Sequence, residues 1–194
     1  MNLTLEITAV TLNVIYLLLL IKEKIFCWFF GIAGATVSVF LFYSIGLYSE
    51  AILYIYYIII GVYGYTLWNK KRKNRLEVKK INTKQHVILI FFGVLCAIAL
   101  GFTFNTFTDA VNPFFDSFTT VFSFIASYLE AKKIISSWFF WIIINLLTIV
   151  LYLREDLTLY VLLTFVFVIF SVIGYVEWSK KMKETVKAKI VNVG

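Results

Sequence analysis

Seven long apolar stretches follow one another along this 194-residue chain, separated by short polar connections. A helix needs about 20 apolar residues to cross the hydrocarbon core of a bilayer. Each stretch reaches that length, so the pattern predicts an all-α, polytopic membrane protein of seven transmembrane helices. The predicted spans are Leu3–Ile21, Ile25–Tyr43, Ala51–Trp68, His86–Phe104, Val111–Leu129, Ile134–Tyr152 and Leu157–Val176.

The composition excludes a soluble domain. Hydrophobic residues make up 61% of the chain and charged residues only 15%, which leaves too little polar surface for a water-soluble fold. The net charge of +7 would suit a nucleic-acid partner, but the charges sit in short clusters between apolar runs. That distribution is typical of membrane proteins, so the expected partner is the lipid bilayer and not nucleic acid.

The positive charges are strongly one-sided with respect to the seven spans. Lysine and arginine concentrate in the short loops on the cytoplasmic side of membrane proteins, which orients the chain. This rule predicts a multi-pass protein of the cytoplasmic (inner) membrane, with the N-terminus outside and the C-terminus in the cytoplasm. Only Arg154 falls on the outer side, against Lys22, Lys24, Lys70, Lys71, Arg72, Lys73, Arg75, Lys79, Lys80, Lys84, Lys132, Lys133, Lys180, Lys181, Lys183, Lys187 and Lys189 on the inner side.

An internal repeat relates spans one to three to spans five to seven. Trp28-Phe29-Phe30 recurs 110 positions later as Trp138-Phe139-Phe140, and the Gly-Tyr-x-x-Trp pattern ending at Trp68 recurs at Trp178. Moving ahead by four spans restores the starting side, so the two three-helix units are parallel, in a 3+1+3 layout. Transporters use such repeats and bind substrate near the midplane between the halves. The alternatives are that duplication only enlarges the bundle, or that the protein is a non-transporting scaffold.

This layout divides the chain into four parts. Residues 1–69 form the first three-helix bundle, residues 70–110 a basic cytoplasmic loop with a connector helix, residues 111–179 the second bundle, and residues 180–194 a basic cytoplasmic tail. The sequence leaves open whether the protein is a monomer or a homo-oligomer.

The candidate binding residues are polar and aromatic side chains at membrane depth. Trp138, Trp141 and Asn145 are spaced i, i+3, i+7 and share one face of span six. Two indoles offer flat surfaces for stacking an aromatic ligand, and the amide offers a donor and an acceptor. Asn13 and Tyr57 also lie near the membrane middle, where polar groups need partners. The alternative is an interhelical hydrogen bond for Asn13 and an interfacial anchor for Trp138.

Groups for catalysis or metal binding are missing from the sequence. His86 is the only histidine, and Cys27 and Cys96 lie in separate apolar runs, where we expect buried thiols. Thr119, Thr120 and Ser123 either line an entry path or bond to their own helix. No phosphate-binding glycine loop or intramembrane carboxylate relay is evident, so we expect no enzyme activity, no cofactor and no metal, and passive movement of a small molecule.

These residues resemble the PnuC family of bacterial nicotinamide riboside transporters. The resemblance rests on K-E-K-I-x-x-W-x-x-G at Lys22–Gly31, on W-x-x-W-x-x-x-N at Trp138–Asn145 and on the G-Y-x-x-W ending at Trp178. It implies a SWEET-like fold and facilitated diffusion of the riboside, kept inside by cytosolic phosphorylation. It also implies that Trp138, Trp141 and Asn145 contact the ligand. Related transporters of similar build take thiamine, riboflavin or nucleosides, and thiamine is the strongest rival because it is also a cationic aromatic.

Overall fold

The computed structural model describes residues 3–44, 48–69, 76–107, 112–154 and 158–191. Within those ranges each of the seven predicted apolar segments forms a helix, which confirms the all-α class. The helices begin and end within a few residues of the predicted bounds, apart from the end of the last one. They are α1 Leu3–Ile21, α2 Phe26–Ser44, α3 Tyr48–Trp68, α4 Thr83–Phe107, α5 Pro113–Ala131, α6 Ser137–Arg154 and α7 Thr158–Val191.

Three helices are long and apolar enough on their own to cross a bilayer. These segments are Ala51–Trp68 in α3, Thr83–Phe107 in α4 and Val161–Ala188 in α7. Helices α1, α2 and α6 contain shorter apolar stretches, at Ile7–Ile21, Phe26–Leu41 and Ser137–Leu151. That every one of the seven helices crosses the membrane stays a prediction.

The last helix is much longer than the predicted span. We expected it to end at Val176, whereas α7 continues without a break to Val191. The added segment contains five lysines and two glutamates, which favour helix, and Glu177 and Lys180 form an ion pair at 3.1 Å one turn apart. The hydropathy of the sequence marks where the apolar run ends, which is not where the helix ends.

The described residues group into two compact units. The first contains residues 1–78, 130–133 and 176–194, and the second contains residues 79–129 and 134–175. Helix α7 contributes to both, because its residues up to Tyr175 belong to the second unit and those from Val176 to the first. The 3+1+3 division into repeats stays a prediction.

In the first unit α1, α2 and α3 pack through small residues. The indole of Trp28 on α2 lies against the backbone of Gly64 on α3, so close that a Cβ at residue 64 would be less than 3.0 Å from the ring. Gly31 lies equally close to the ring of Tyr16, because a Cβ at residue 31 would be 2.9 Å from that ring. These close approaches need residues without side chains at the contact.

The second unit repeats one of these contacts and adds α4. Trp138 on α6 lies against Gly174 on α7, where a Cβ would be 2.5 Å from the indole. On α4 the buried residues are all small, namely Gly93, Ala97 and Gly101. Cys96 beside them is exposed, so the expectation that both thiols are buried is wrong for Cys96. Helix α4 buries only its narrow small-residue face, and Cys96 lies outside that face.

Part of the predicted basic loop lies outside the described residues. This applies to positions 70 to 75, which include Lys70, Lys71, Arg72, Lys73 and Arg75. From Leu76 the chain is described again. Lys79 forms an isolated parallel bridge with Ile134, and the Ile135 N–H donates to the Lys79 carbonyl at 3.0 Å. Both bonds lie within the second unit.

Candidate functional site

Helix α6 carries three of the five predicted site residues in the second unit. Trp138 is completely buried, whereas Trp141 and Asn145 are partly exposed. The Trp138 ring packs on Gly174, so its faces are used for helix packing, and a fully buried indole does not act as an interfacial anchor. Of these three side chains, only those of Trp141 and Asn145 have exposed surface, and a ligand-binding role for any of the three stays a prediction.

Trp141 borders a cluster of aromatic side chains between α5 and α6. The buried centre consists of Phe122, Ala126 and Ile144. Phe118 and Phe140 also pack there, and the Phe122 and Phe140 rings are stacked with centroids 6.0 Å apart. Asn145 follows Trp141 by one helical turn, and within the described parts of the chain its amide forms no hydrogen bond. An indole on an apolar aromatic base, with a primary amide beside it, suits a flat ligand with a polar edge.

The hydroxyl groups of α5 are largely used within the helix. Thr119 donates to the carbonyls of Phe115 and Asp116 at 3.1 and 3.0 Å. Ser127 donates to the Ser123 carbonyl at 2.8 Å. Of the two expected roles, bonding to the helix's own carbonyls is the one observed for Thr119.

The other two predicted residues, Asn13 and Tyr57, belong to the first unit. A Cβ at Gly34 would be 3.1 Å from the Asn13 side-chain oxygen, so Asn13 fits where α2 passes α1 closely. The Tyr57 ring contacts Tyr54 and Tyr56, with centroids 5.6 and 6.0 Å apart. A shared role of these two residues with those on α6 stays a prediction.

The first unit also buries charged residues that the sequence analysis did not single out as a site. Glu130 is 1% exposed and accepts a hydrogen bond from the Tyr16 hydroxyl at 2.7 Å. Lys133 is 3% exposed, and its ammonium bonds to Glu23 at 2.5 Å. The same ammonium lies 4.3 Å from the centroid of the Trp68 ring, a cation–π distance. Lys133 is therefore a buried, paired cation and not a solvated loop lysine.

Lys181 joins Glu23 and Lys133 in this group. The Lys181 ammonium on α7 lies 3.1 Å from the second Glu23 carboxylate oxygen and donates to the Lys22 carbonyl at 3.3 Å. We call Glu23, Lys133 and Lys181 the polar clasp. Two indoles support it, because Trp68 donates to the Ala131 carbonyl at 2.9 Å and Trp178 to the Leu20 carbonyl at 3.3 Å.

The local backbone explains the position of Glu23 and Lys133. Both have positive φ angles, 51° and 53°, at the ends of α1 and α5. Glu23 N–H bonds to Leu20 and Lys24 N–H to Leu19, the two bonds of a Schellman helix ending, and Lys133 repeats the first of them with Glu130 at 2.9 Å. The constant offset of the repeat makes positions 23 and 133 equivalent and gives them opposite charges, and that was the signal available in the sequence.

Electrostatics at Glu23 follow from its two partners. Burial by itself raises the pKa of the Glu23 carboxyl, but the hydrogen bond and charge of Lys133, followed by those of Lys181, outweigh it. The pKa of Glu23 is therefore lower than its ordinary value, and the carboxylate stays ionised at neutral pH. The clasp is an ion pair and not a neutral hydrogen bond.

Comparison with known proteins identifies the family of this chain. A protein-family profile described as nicotinamide mononucleotide transporter matches residues 3–180, which is most of the chain. The nicotinamide riboside transporter PnuC of Escherichia coli (strain K12) is 24% identical over 175 residues, covering 74% of this chain and 73% of that protein. The nicotinamide riboside transporter PnuC of Neisseria mucosa is 26% identical over 175 residues, covering 84% of this chain and 66% of that protein.

A solved structure has the same fold. The crystal structure of the vitamin B3 transporter PnuC matches this chain with a TM-score of 0.77 and 23% sequence identity. The match covers 94% of this chain and 83% of that one. At this level of identity the likeness shows the fold.

Proposed function

This chain belongs to the nicotinamide mononucleotide transporter family, and from that premise we propose that it carries nicotinamide riboside into the cell by facilitated diffusion. It is a membrane transporter and not an enzyme. The observation that carries the substrate proposal is the pairing of Trp141 and Asn145 on the aromatic base of α5 and α6. The name of the family profile refers to the mononucleotide, whereas the names of the relatives refer to the riboside. The two compounds differ by a phosphate, so the question is whether the protein accepts a ligand that carries one.

The chemistry of α6 suits a flat cation. Nicotinamide riboside has a pyridinium ring, a carboxamide and a sugar. The Trp141 indole would stack on the ring, a cation–π contact worth roughly 0.5–2 kcal/mol. The Asn145 amide can donate to and accept from the carboxamide, and unlike a carboxylate it does so without adding charge.

The charge distribution favours the riboside over the mononucleotide. None of the seven predicted spans contains a lysine or arginine, so none supplies a cation for a phosphate. A phosphate transferred to that environment would lose its hydration without gaining a partner. We therefore expect the mononucleotide to be rejected.

Two variants on α6 test the site. In purified protein, Trp141→Ala should weaken riboside binding roughly tenfold or more, because the stacking surface is lost. Asn145→Leu should also weaken binding while the protein still folds and inserts. Phe139→Ala is the matched control, since Phe139 lies on the same helix and is 49% exposed. Unchanged affinity in both variants would show that the α6 site is wrong.

A ligand series separates the substrate alternatives. Sealed liposomes containing the protein are given labelled riboside, mononucleotide and thiamine in turn. Saturable uptake of the riboside alone supports the proposal. Uptake of thiamine without the riboside would keep the α6 site and replace the substrate, whereas uptake of none would favour a scaffold.

We further propose the 3+1+3 SWEET-like arrangement in the bacterial inner membrane, with the N-terminus outside. Its support is the one-sided distribution of lysine and arginine and the constant offset between the two repeats. Reporter fusions after residue 75 and after residue 194 should both report a cytoplasmic location. A periplasmic signal from either fusion would contradict this orientation.

A further inference from the structure

The polar clasp joins two connections that the repeat makes equivalent. Glu23 follows α1 and Lys133 follows α5, at positions that correspond in the two repeats, and their side chains bind each other directly. Both lie in the first compact unit, which includes the α1–α2 connection and residues 130–133. A repeat with no further constraint has no reason to carry opposite charges at these two positions.

Each of these residues adopts a backbone conformation that favours glycine. The φ angles of 51° and 53° lie in the left-handed region, where a side chain adds strain that glycine avoids. Helices commonly end with glycine at this position. Two strained residues are kept here, so their side chains contribute something that glycine at a helix end would not.

That contribution is not simply stability. A buried ion pair has to offset the loss of hydration of both charges, and apolar residues of similar size often stabilise a fold equally well or better. The difference lies in the separated state. An apolar pair gains nothing by separating, whereas two charges regain hydration when they part, so a charged contact can open at lower cost.

The surroundings of the clasp are consistent with reversible opening. The Glu23 side chain is 14% exposed and that of Lys133 only 4%, so water reaches the carboxylate at the edge of the pair. Lys181, with a 39% exposed side chain, already bonds to the other carboxylate oxygen. Glu23 would keep one cation when Lys133 withdraws.

We propose that the polar clasp opens and closes in each transport cycle, so that Glu23 and Lys133 set the transport rate without contacting the substrate. This inference rests on the proposed transport function. Glu23 and Lys133 are thus positioning residues. Their removal should change the maximum rate of uptake and leave the affinity for the riboside unchanged.

Cys27 provides a reporter for the opening of the clasp. It is fully buried at the start of α2, and its N–H bonds to the carbonyl of Lys24, the residue after Glu23, at 2.9 Å. Because this thiol is shielded from solvent in the folded protein, we expect maleimide labelling of Cys27 to report opening of the region around the clasp. Cys96 is exposed, so the experiment uses a Cys96→Ser background in which Cys27 is the only cysteine.

Two variants should act in opposite directions. Glu23→Gln removes the negative charge that pairs with the buried Lys133 ammonium, which favours the open form, so Cys27 labelling should be about tenfold faster. Glu23→Leu with Lys133→Met replaces the ion pair by an apolar contact. That double variant should label more slowly than the parent and transport the riboside about tenfold more slowly. Riboside Kd should stay within about twofold in both.

The control is Glu177→Gln, which breaks the exposed Glu177–Lys180 pair on α7 and should change neither labelling nor transport. If the double apolar variant fails to insert, Glu23→Gln combined with Lys133→Met replaces it. Because this variant has no buried unpaired charge, its Cys27 should be labelled more slowly than that of Glu23→Gln alone. The inference is overturned if the parent transports and both clasp variants match it in rate, or if Kd changes in parallel with rate. If the parent transports no riboside, the proposed function fails instead, and the labelling data show separately whether the clasp opens.

Discussion

Trp28 in the first unit and Trp138 in the second are packed in the same way, but the helices that carry them differ beyond that point. Each indole is buried on a glycine of another helix, Gly64 or Gly174. On α2 the next turns hold Gly31 and Gly34, which let α1 approach closely. At the equivalent places α6 holds Trp141 and Ile144, and Asn145 follows.

This comparison shows how two repeats can share one packing contact and differ in function. The tryptophan–glycine contact fixes the packing of both units, so the positions beyond it are free to diverge. On α2 these positions hold small residues, and the Gly31 backbone meets the Tyr16 ring of α1. On α6 Ile144 is buried, whereas Trp141 and Asn145 are partly exposed, which suits a ligand site. Four predictions probe this comparison, beginning with the largest expected effect.

Removing either buried indole should be the most damaging change. Trp28→Ala and Trp138→Ala should each lower the free energy of unfolding by about 3–5 kcal/mol, because a large cavity remains. Thermal and denaturant unfolding in detergent would measure this. The repeat also supplies matched controls, Phe29→Ala and Phe139→Ala, whose side chains are 67% and 49% exposed. If Trp138→Ala were as mild as Phe139→Ala, the two tryptophans would not be equivalent anchors.

Filling the space beneath the indoles should have a smaller effect. Gly64→Ala and Gly174→Ala each place a methyl group less than 3.0 Å from the ring carbons, so each should destabilise the protein by about 1–3 kcal/mol. A smaller ring should relieve the clash, so Gly64→Ala combined with Trp28→Phe should cost less than the sum of the two changes. Strict additivity would contradict direct contact.

The repeat explains why much of this could be predicted from the sequence. The helices follow from apolar runs of bilayer length, and the constant offset identified Trp28 with Trp138 and Gly64 with Gly174 as equivalents. It did not reveal that these residues touch. Helices that are apolar on all sides give no sign of which face is buried, so the burial of Trp138 needed the structure.

The polar clasp was not predicted from the sequence, and the reason is different. Lys133 lies in the predicted cytoplasmic loop between spans five and six, and its charge and position alone give no sign that it is buried. Its burial depends on Glu23, which is distant in the sequence, and on the left-handed backbone at both positions, neither of which has a local sequence signal. The extension of α7 to Val191 was missed because hydropathy predicts membrane spans and not helix ends.

Acid should distinguish the clasp from the tryptophan contacts, which carry no charge. The pKa of Glu23 is lowered in the folded protein, so its ion pairs contribute stability above the ordinary glutamate pKa of about 4.3 and lose it as the pH falls through the lowered value. The gap in melting temperature between the parent and Glu23→Gln should be largest above about pH 5 and close under stronger acid. Trp28→Ala should keep a constant gap from the parent over this range. If the difference in melting temperature between the parent and Glu23→Gln grew as the pH fell, the pKa of Glu23 would be raised in the folded protein and not lowered.

The smallest effect tests whether the two helix endings are true equivalents. Glu23→Gly and Glu23→Gln both remove the carboxylate charge, but only glycine relieves the left-handed φ of 51°. Glycine should therefore be less destabilising than glutamine by about 1 kcal/mol, offset in part by its greater freedom in the unfolded chain. Lys133→Gly and Lys133→Gln should show the same order, because residue 133 has a φ of 53° and the same bond to the residue three before it. Comparing the four unfolding free energies isolates the backbone contribution, since the side-chain interactions lost at each position are shared by both variants. If glycine were the more stable substitution at only one of the two positions, the endings of α1 and α5 would have the same backbone conformation but different strain energies.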